Sequence, residues 1–93
     1  MLLPTPNPNV IHKAVGDGAV LLSTKDEVYY GLNAVGTCIW ERLPPVLTEL
    51  DDLCTNLSKL YPDVDPETIR ADARELIEDL LAHGLLCPRD RAE

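Results

Sequence analysis

"DEVYYGLNAVGTCIWERL", residues 26–43, holds three of the four aromatic side chains of a 93-residue chain. Its first part, Val28–Leu32, reads as a short strand. Asn33 then stands where a helix would begin, because its side-chain oxygen can accept from an orphan N–H of the first turn. After it, Val35, Cys38, Ile39 and Arg42/Leu43 recur at helical spacing, and Pro44-Pro45 stops a helix of about ten residues. The stretch is therefore a strand running straight into a helix. Adjacent strand residues point to opposite faces, so if one of Tyr29 and Tyr30 is buried, the other faces out. One large aromatic must line the outer side of the sheet. Gly31 weakens the strand and often marks a bulge or a close backbone approach. Trp40, on a short helix with few other large residues nearby, reads as core filler.

Upstream, residues 1–9 contain three prolines and two asparagines and read as an extended or disordered arm. "VIHKAV" (10–15), the turn "GDG" (16–18), "AVLLS" (19–23) and the polar turn "TKDE" (24–27) complete an antiparallel meander with "VYYGL". Downstream, Thr48 is expected to cap a second helix with Asp51 at its third position. Its apolar stripe is Leu50, Leu53, Cys54, Leu57, Leu60 and Tyr61, and Pro62 ends it. Asp65 and Pro66 open a third helix with Ile69, Ala73, Leu76, Ile77, Leu80 and Leu81 on one face, and Gly84 closes it. "LLC" and a charged tail, 89–93, follow. The fold class this order predicts is α+β with a winged-helix flavour, a three-stranded antiparallel sheet followed by three helices. The domain is placed at 10–88. Three strands need the helices to cover one face, and at this size at least one sheet edge is left unprotected.

Composition narrows function by exclusion. The formal charge is −8, with eight Lys and Arg against sixteen Asp and Glu. Nucleic-acid binding draws on cations that neutralise phosphates, so a winged-helix DNA regulator is disfavoured, and an enzyme is less favoured still. Anionic membrane surfaces are disfavoured for the same reason. No apolar run approaches the roughly 20 residues of a membrane span, and "MLLPTPNPNV" lacks the basic and apolar regions of a secretory signal, so a cytoplasmic location is expected. Cys38, Cys54 and Cys87 are odd in number and far apart, and read as small apolar side chains. His12 and His83, about seventy residues apart, have no partner at ligand spacing. "GDG" precedes a strand and lacks the phosphate-loop pattern. No nucleophile has a base nearby in sequence. No metal, no cofactor and no catalysis are expected: the chain reads as a binding module.

The series "YYGLN" (29–33), Gly36, "IW" (39–40), Tyr61, Asp72 and "GLL" (84–86) resembles the PqqD-like family, the leader-peptide recognition elements of ribosomally made, post-translationally modified peptides. The likeness covers about residues 10–87. "YYGLN" with "GTCIW" is most similar to the stand-alone recognition proteins of lasso-peptide biosynthesis. Pro44-Pro45 departs from the family's short Gly-containing turn, in a loop away from the expected groove. The resemblance implies a winged helix-turn-helix fold whose sheet edge takes up a precursor leader as an added strand, in a groove against the third helix. It also implies delivery to a separate leader peptidase, with a cyclase acting afterwards. The runner-up is a peptide chaperone working with a radical enzyme in pyrroloquinoline quinone biosynthesis. The partner list is thus a leader peptide and pathway enzymes, with the chain a monomer or weak homodimer.

The expected peptide contacts are Glu27, Val28, Tyr29, Tyr30, Gly31 and Leu32 on the strand, and Arg70, Ala73, Arg74 and Ile77 on the third helix. Small Ala73 would leave room for an entering side chain, and the two arginines, four apart, would meet leader carboxylates. About four or five main-chain hydrogen bonds contribute roughly 2–7 kcal/mol together, which association and ordering of a flexible peptide consume. Apolar anchors at about 1.5–3 kcal/mol each must supply the balance.

Overall fold

The computed structural model describes residues 2–25, 27–44 and 46–88. The expected tail at 89–93 lies outside them, as do Asp26 of the "TKDE" turn and Pro45. Strands β2 (Val10–Val15) and β3 (Gly18–Ser23) form a hairpin in which Val15 faces Gly18 across Gly16-Asp17. Gly16 carries the positive φ of 58° that this two-residue turn requires. Strand β4 (Val28–Leu32) pairs antiparallel with β3 in an unbroken register, from Ala19–Leu32 to Ser23–Val28. The order is β2-β3-β4, so β4 is an edge. Period-two alternation sends Ala19, Leu21 and Ser23 of β3 into the core, with Val10, His12, Tyr30 and Leu32 on the same inner face. Ile11, Leu22 and Tyr29 stand across one another on the outer face.

Helix α1 (Ala34–Glu41) begins as its sequence dictates: the Asn33 side chain accepts from the Gly36 N–H at 2.8 Å. Helix α2 (Leu50–Leu60) does not. Its cap is Glu49, one residue beyond the expected Thr48, and no side-chain oxygen bonds the first turn. The cause lies far away in sequence. The Leu3 N–H donates to the Thr48 carbonyl at 2.9 Å, and Leu2 bridges to Glu49, whose backbone is extended. Asp51 and Asp52 still favour the positive end of the helix dipole. In α3 (Pro66–Ala82) the Asp65 side chain accepts from the Glu67 N–H at 2.9 Å, with Pro66 at the first position. At its far end Gly84 has φ +74°, and the bonds Leu85 N–H to Leu80 O and Gly84 N–H to Leu81 O form a Schellman motif.

The N-terminal arm is extended and tied down. Strand β1 (Thr5–Pro6) pairs with β5 (Leu86–Cys87), the Asn7 amide donates to the Gly84 carbonyl, and Leu3 is 0% exposed. The arm thus packs against the residues from Val10 onward. Leu3 joins Leu21, Ile39, Leu43, Leu53, Leu57, Ile77, Leu80 and Leu85 in an aliphatic core between the inner face of the sheet and the three helices. Trp40 is half-buried against this core, its ring parallel to His12 with centroids 6.4 Å apart. Cys54 is buried, and all three cysteines are free thiols. No helix among the described residues is long and apolar enough to cross a membrane.

Candidate functional site

Among the described residues nothing pairs with the outer side of β4. On an antiparallel edge, alternate residues present both N–H and C=O outward, so β4 offers unspent main-chain groups. Facing them is α3. Between the two runs a groove of about 390 Å³, walled by Tyr30, Gly31, Leu32, Asn33, Val35, Gly36 and Ile39 on one side and Asp72, Glu75, Leu76 and Asp79 on the other. At one end Tyr30 spans the gap. Its hydroxyl donates to Asp79 Oδ2 at 2.7 Å, and its ring meets His83 edge-on at 5.4 Å. His83 donates from Nδ1 to the Asp79 carbonyl at 2.8 Å, since a carbonyl can only accept. Burial, then the Asp79 hydrogen bond, then the negative charges of Asp79 and Glu75 push the Tyr30 hydroxyl up to about 12. At the other end Val35, Ile39 and Asp72 are shared with a smaller apolar chamber of about 120 Å³, completed by Leu57, Tyr61, Val64, Ile69 and Ala73.

The structure brings some of the sequence-expected contacts to this groove and turns others away. Tyr30, Gly31 and Leu32 line it. Val28 begins the same edge, and Glu27 occupies the turn just before it, at a positive φ of 57°. Tyr29 is 71% exposed on the opposite face of the sheet, which resolves the tyrosine pair in favour of Tyr30. Gly31 is neither a bulge nor a close approach: the register runs through it, and a Cβ there would meet nothing. Ala73 and Ile77 are both 0% exposed. Ile77 is core; Ala73 borders the apolar chamber, where its small side chain does leave room.

The two arginines are placed on the wrong flank for the expected role. At about 100° per residue, α3 buries Ile69, Ala73, Ile77 and Leu80. Asp72, Glu75 and Asp79 then fall on the flank toward β4, and Arg70 and Arg74 on the other. Arg70 bonds Asp51 of α2 at 2.6 Å, which holds that carboxyl below the usual carboxylate range, and Arg74 sits 3.9 Å from Glu78. Asn33, Val35, Asp72, Glu75, Leu76 and Asp79 were missed. The signal for the acids was available: three carboxylates at i, i+3 and i+7 along one border of the apolar stripe. Among the described residues no three of His, Cys, Asp and Glu are placed to hold a metal ion.

An unpaired strand edge facing a helix across a lined groove defines a module shaped to accept an extended segment. The PqqD family, described as Coenzyme PQQ synthesis protein D, matches residues 18–86, and the chain belongs to that family. Among solved structures it is similar to "TbiB1 in Complex with the TbiA(beta) Leader Peptide", with a TM-score of 0.82 and 27% identity over 92% of this chain and 98% of that one. No curated protein matches the chain by sequence.

Proposed function

We propose that this chain binds, without catalysis, the leader segment of a ribosomally made precursor of the lasso-peptide type. The leader adds as a strand to β4, lies in the groove against α3, and is presented to a separate leader peptidase. The observation that carries this reading is the open outer edge of β4 facing the groove wall of α3. Family membership and the likeness to a recognition protein that binds a leader peptide support it. The site contacts are the main chain of Val28–Leu32, the side chains of Tyr30, Val35 and Leu76, and the α3 carboxylates. The apolar chamber beyond Val35 and Ile39 supplies what main-chain pairing lacks: a place to bury an anchor worth about 1.5–3 kcal/mol.

The test is a titration of isotope-labelled protein with the leader of a precursor encoded beside it. Amide shifts concentrated at 28–36 and 72–79 are expected. No shift at any concentration, or shifts confined to the β2 edge, would discard the reading. The second reading, a chaperone acting with a radical enzyme in quinone-cofactor synthesis, is favoured by the family's description. Neighbouring genes separate the two: a cyclase and a transglutaminase-like peptidase support the first, an iron–sulfur radical enzyme the second.

A further inference from the structure

The α3 wall of the groove is acidic. Every ionisable carboxyl or base that lines it is an acid, namely Asp72, Glu75 and Asp79. The nearest helical arginines point to the opposite flank, Arg70 held by Asp51 and Arg74 beside Glu78. Asp79 already accepts the Tyr30 hydroxyl, whereas Asp72 and Glu75 have no hydrogen bond or ion pair among the described residues. The row lines the α3 wall of the same groove that β4 borders.

We propose that the groove selects a peptide with Lys or Arg at the strand positions facing α3. This deepens the peptide-binding reading and rests on it. The spacing fits. From Asp72 to Asp79 the helix rises about 10 Å, and residues i and i+2 of an extended strand are about 7 Å apart. Two basic side chains one residue apart in sequence therefore fall opposite the row together. The row is exposed to solvent, so each cationic contact contributes modestly and weakens as salt is raised. An acidic side chain at either position meets two or more like charges, which gives the groove rejection as well as attraction.

The experiment pans a library of displayed 12-residue peptides against the full chain and against its D72K/E75K variant. Both positions are exposed on α3, and circular dichroism checks that the variant is folded. The wild type is expected to enrich Lys or Arg at alternate positions, and the variant to lose or invert that preference. The best wild-type peptide is then resynthesised with its two basic residues changed to Gln and to Glu. Titration should show roughly 3- to 30-fold weaker binding for Gln and a larger loss for Glu. Equal charge composition from both proteins, or a Gln peptide binding as tightly as the Lys peptide, overturns the charge preference while leaving peptide binding intact. Recovery of no peptide from either protein overturns the peptide-binding reading, and the preference falls with it.

Discussion

Tyr30 joins the strand edge to the helix wall, and its chemistry is open to a direct check. The hydroxyl titrates at about 12 in the fold against 10.0 in an ordinary tyrosine. A raised pKa means that the folded state holds the proton more tightly, so the stabilisation is complete below pH 10 and is lost as pH climbs toward 12. Tyr30→Phe should therefore melt more easily than wild type at neutral pH, and the wild type should lose that advantage in strong alkali, where the variant has no such titration. The neutral-pH difference should be about 0.5–1.5 kcal/mol for one hydrogen bond, and equal pH slopes for both proteins would refute the assignment. Tyr30→Ala should also weaken peptide binding, while Tyr29→Ala, on the opposite face, should not. Arg70→Ala should leave peptide binding unchanged, because its guanidinium lies over α2. The caps at Asn33, Asp65 and Gly84 were legible one residue at a time, since each answers to backbone groups within three or four positions. Which tyrosine faces the groove was not legible, because only the pairing of β4 with β3 fixes the face.

The elements themselves follow from local patterning, with one instructive exception. β2, β3 and β4 keep the bounds that their alternation and turn residues imply, apart from Gly18 joining β3. That glycine has a tertiary reason to be there: a Cβ on it would run into the Leu32 carbonyl oxygen. Gly18→Ala should cost about 1–3 kcal/mol, read as a lowered thermal midpoint, by forcing β4 and the start of α1 aside. The exception is the start of α2, where Thr48 has the better capping chemistry but its carbonyl is claimed by Leu3. Leu3 is itself fully buried, so Leu3→Ala should destabilise the fold by about 2–5 kcal/mol. An unchanged melting curve for that variant would show that the arm is not part of the packed unit. For α3 the apolar stripe was visible in sequence, but the groove lies on the acidic border of that stripe. The stripe itself fills the core.

For the whole molecule, charge decides which partners the shape can serve. A winged-helix outline invites nucleic acid, yet sixteen acids against eight bases leave too few cations to release counterions from a duplex. Retardation of duplex DNA in a gel should therefore be absent even at low salt. Three of those acids, Asp72, Glu75 and Asp79, line the α3 flank that faces β4, and under the proposed charge preference they favour a basic guest. Peptide binding should weaken as salt is raised, which a purely apolar groove would not show. Three strands and three helices enclose a core small enough that both the arm and the C-terminal β5 are needed to seal it.

By itself the sequence determined the order of the three sheet strands and three helices, their ends where caps and glycines act locally, an acidic balance that disfavours nucleic acid, and the presence of a free sheet edge. These depend on periodicity, short-range hydrogen bonding and net charge, all written along the chain. Tertiary structure alone decided the rotation of α3 about its axis, the face taken by Tyr30 and the docking of Leu3. Each of these depends on which surface is buried against a neighbour distant in sequence. Which flank of that helix faces β4 is what sets the carboxylates at the groove and the arginines away from it.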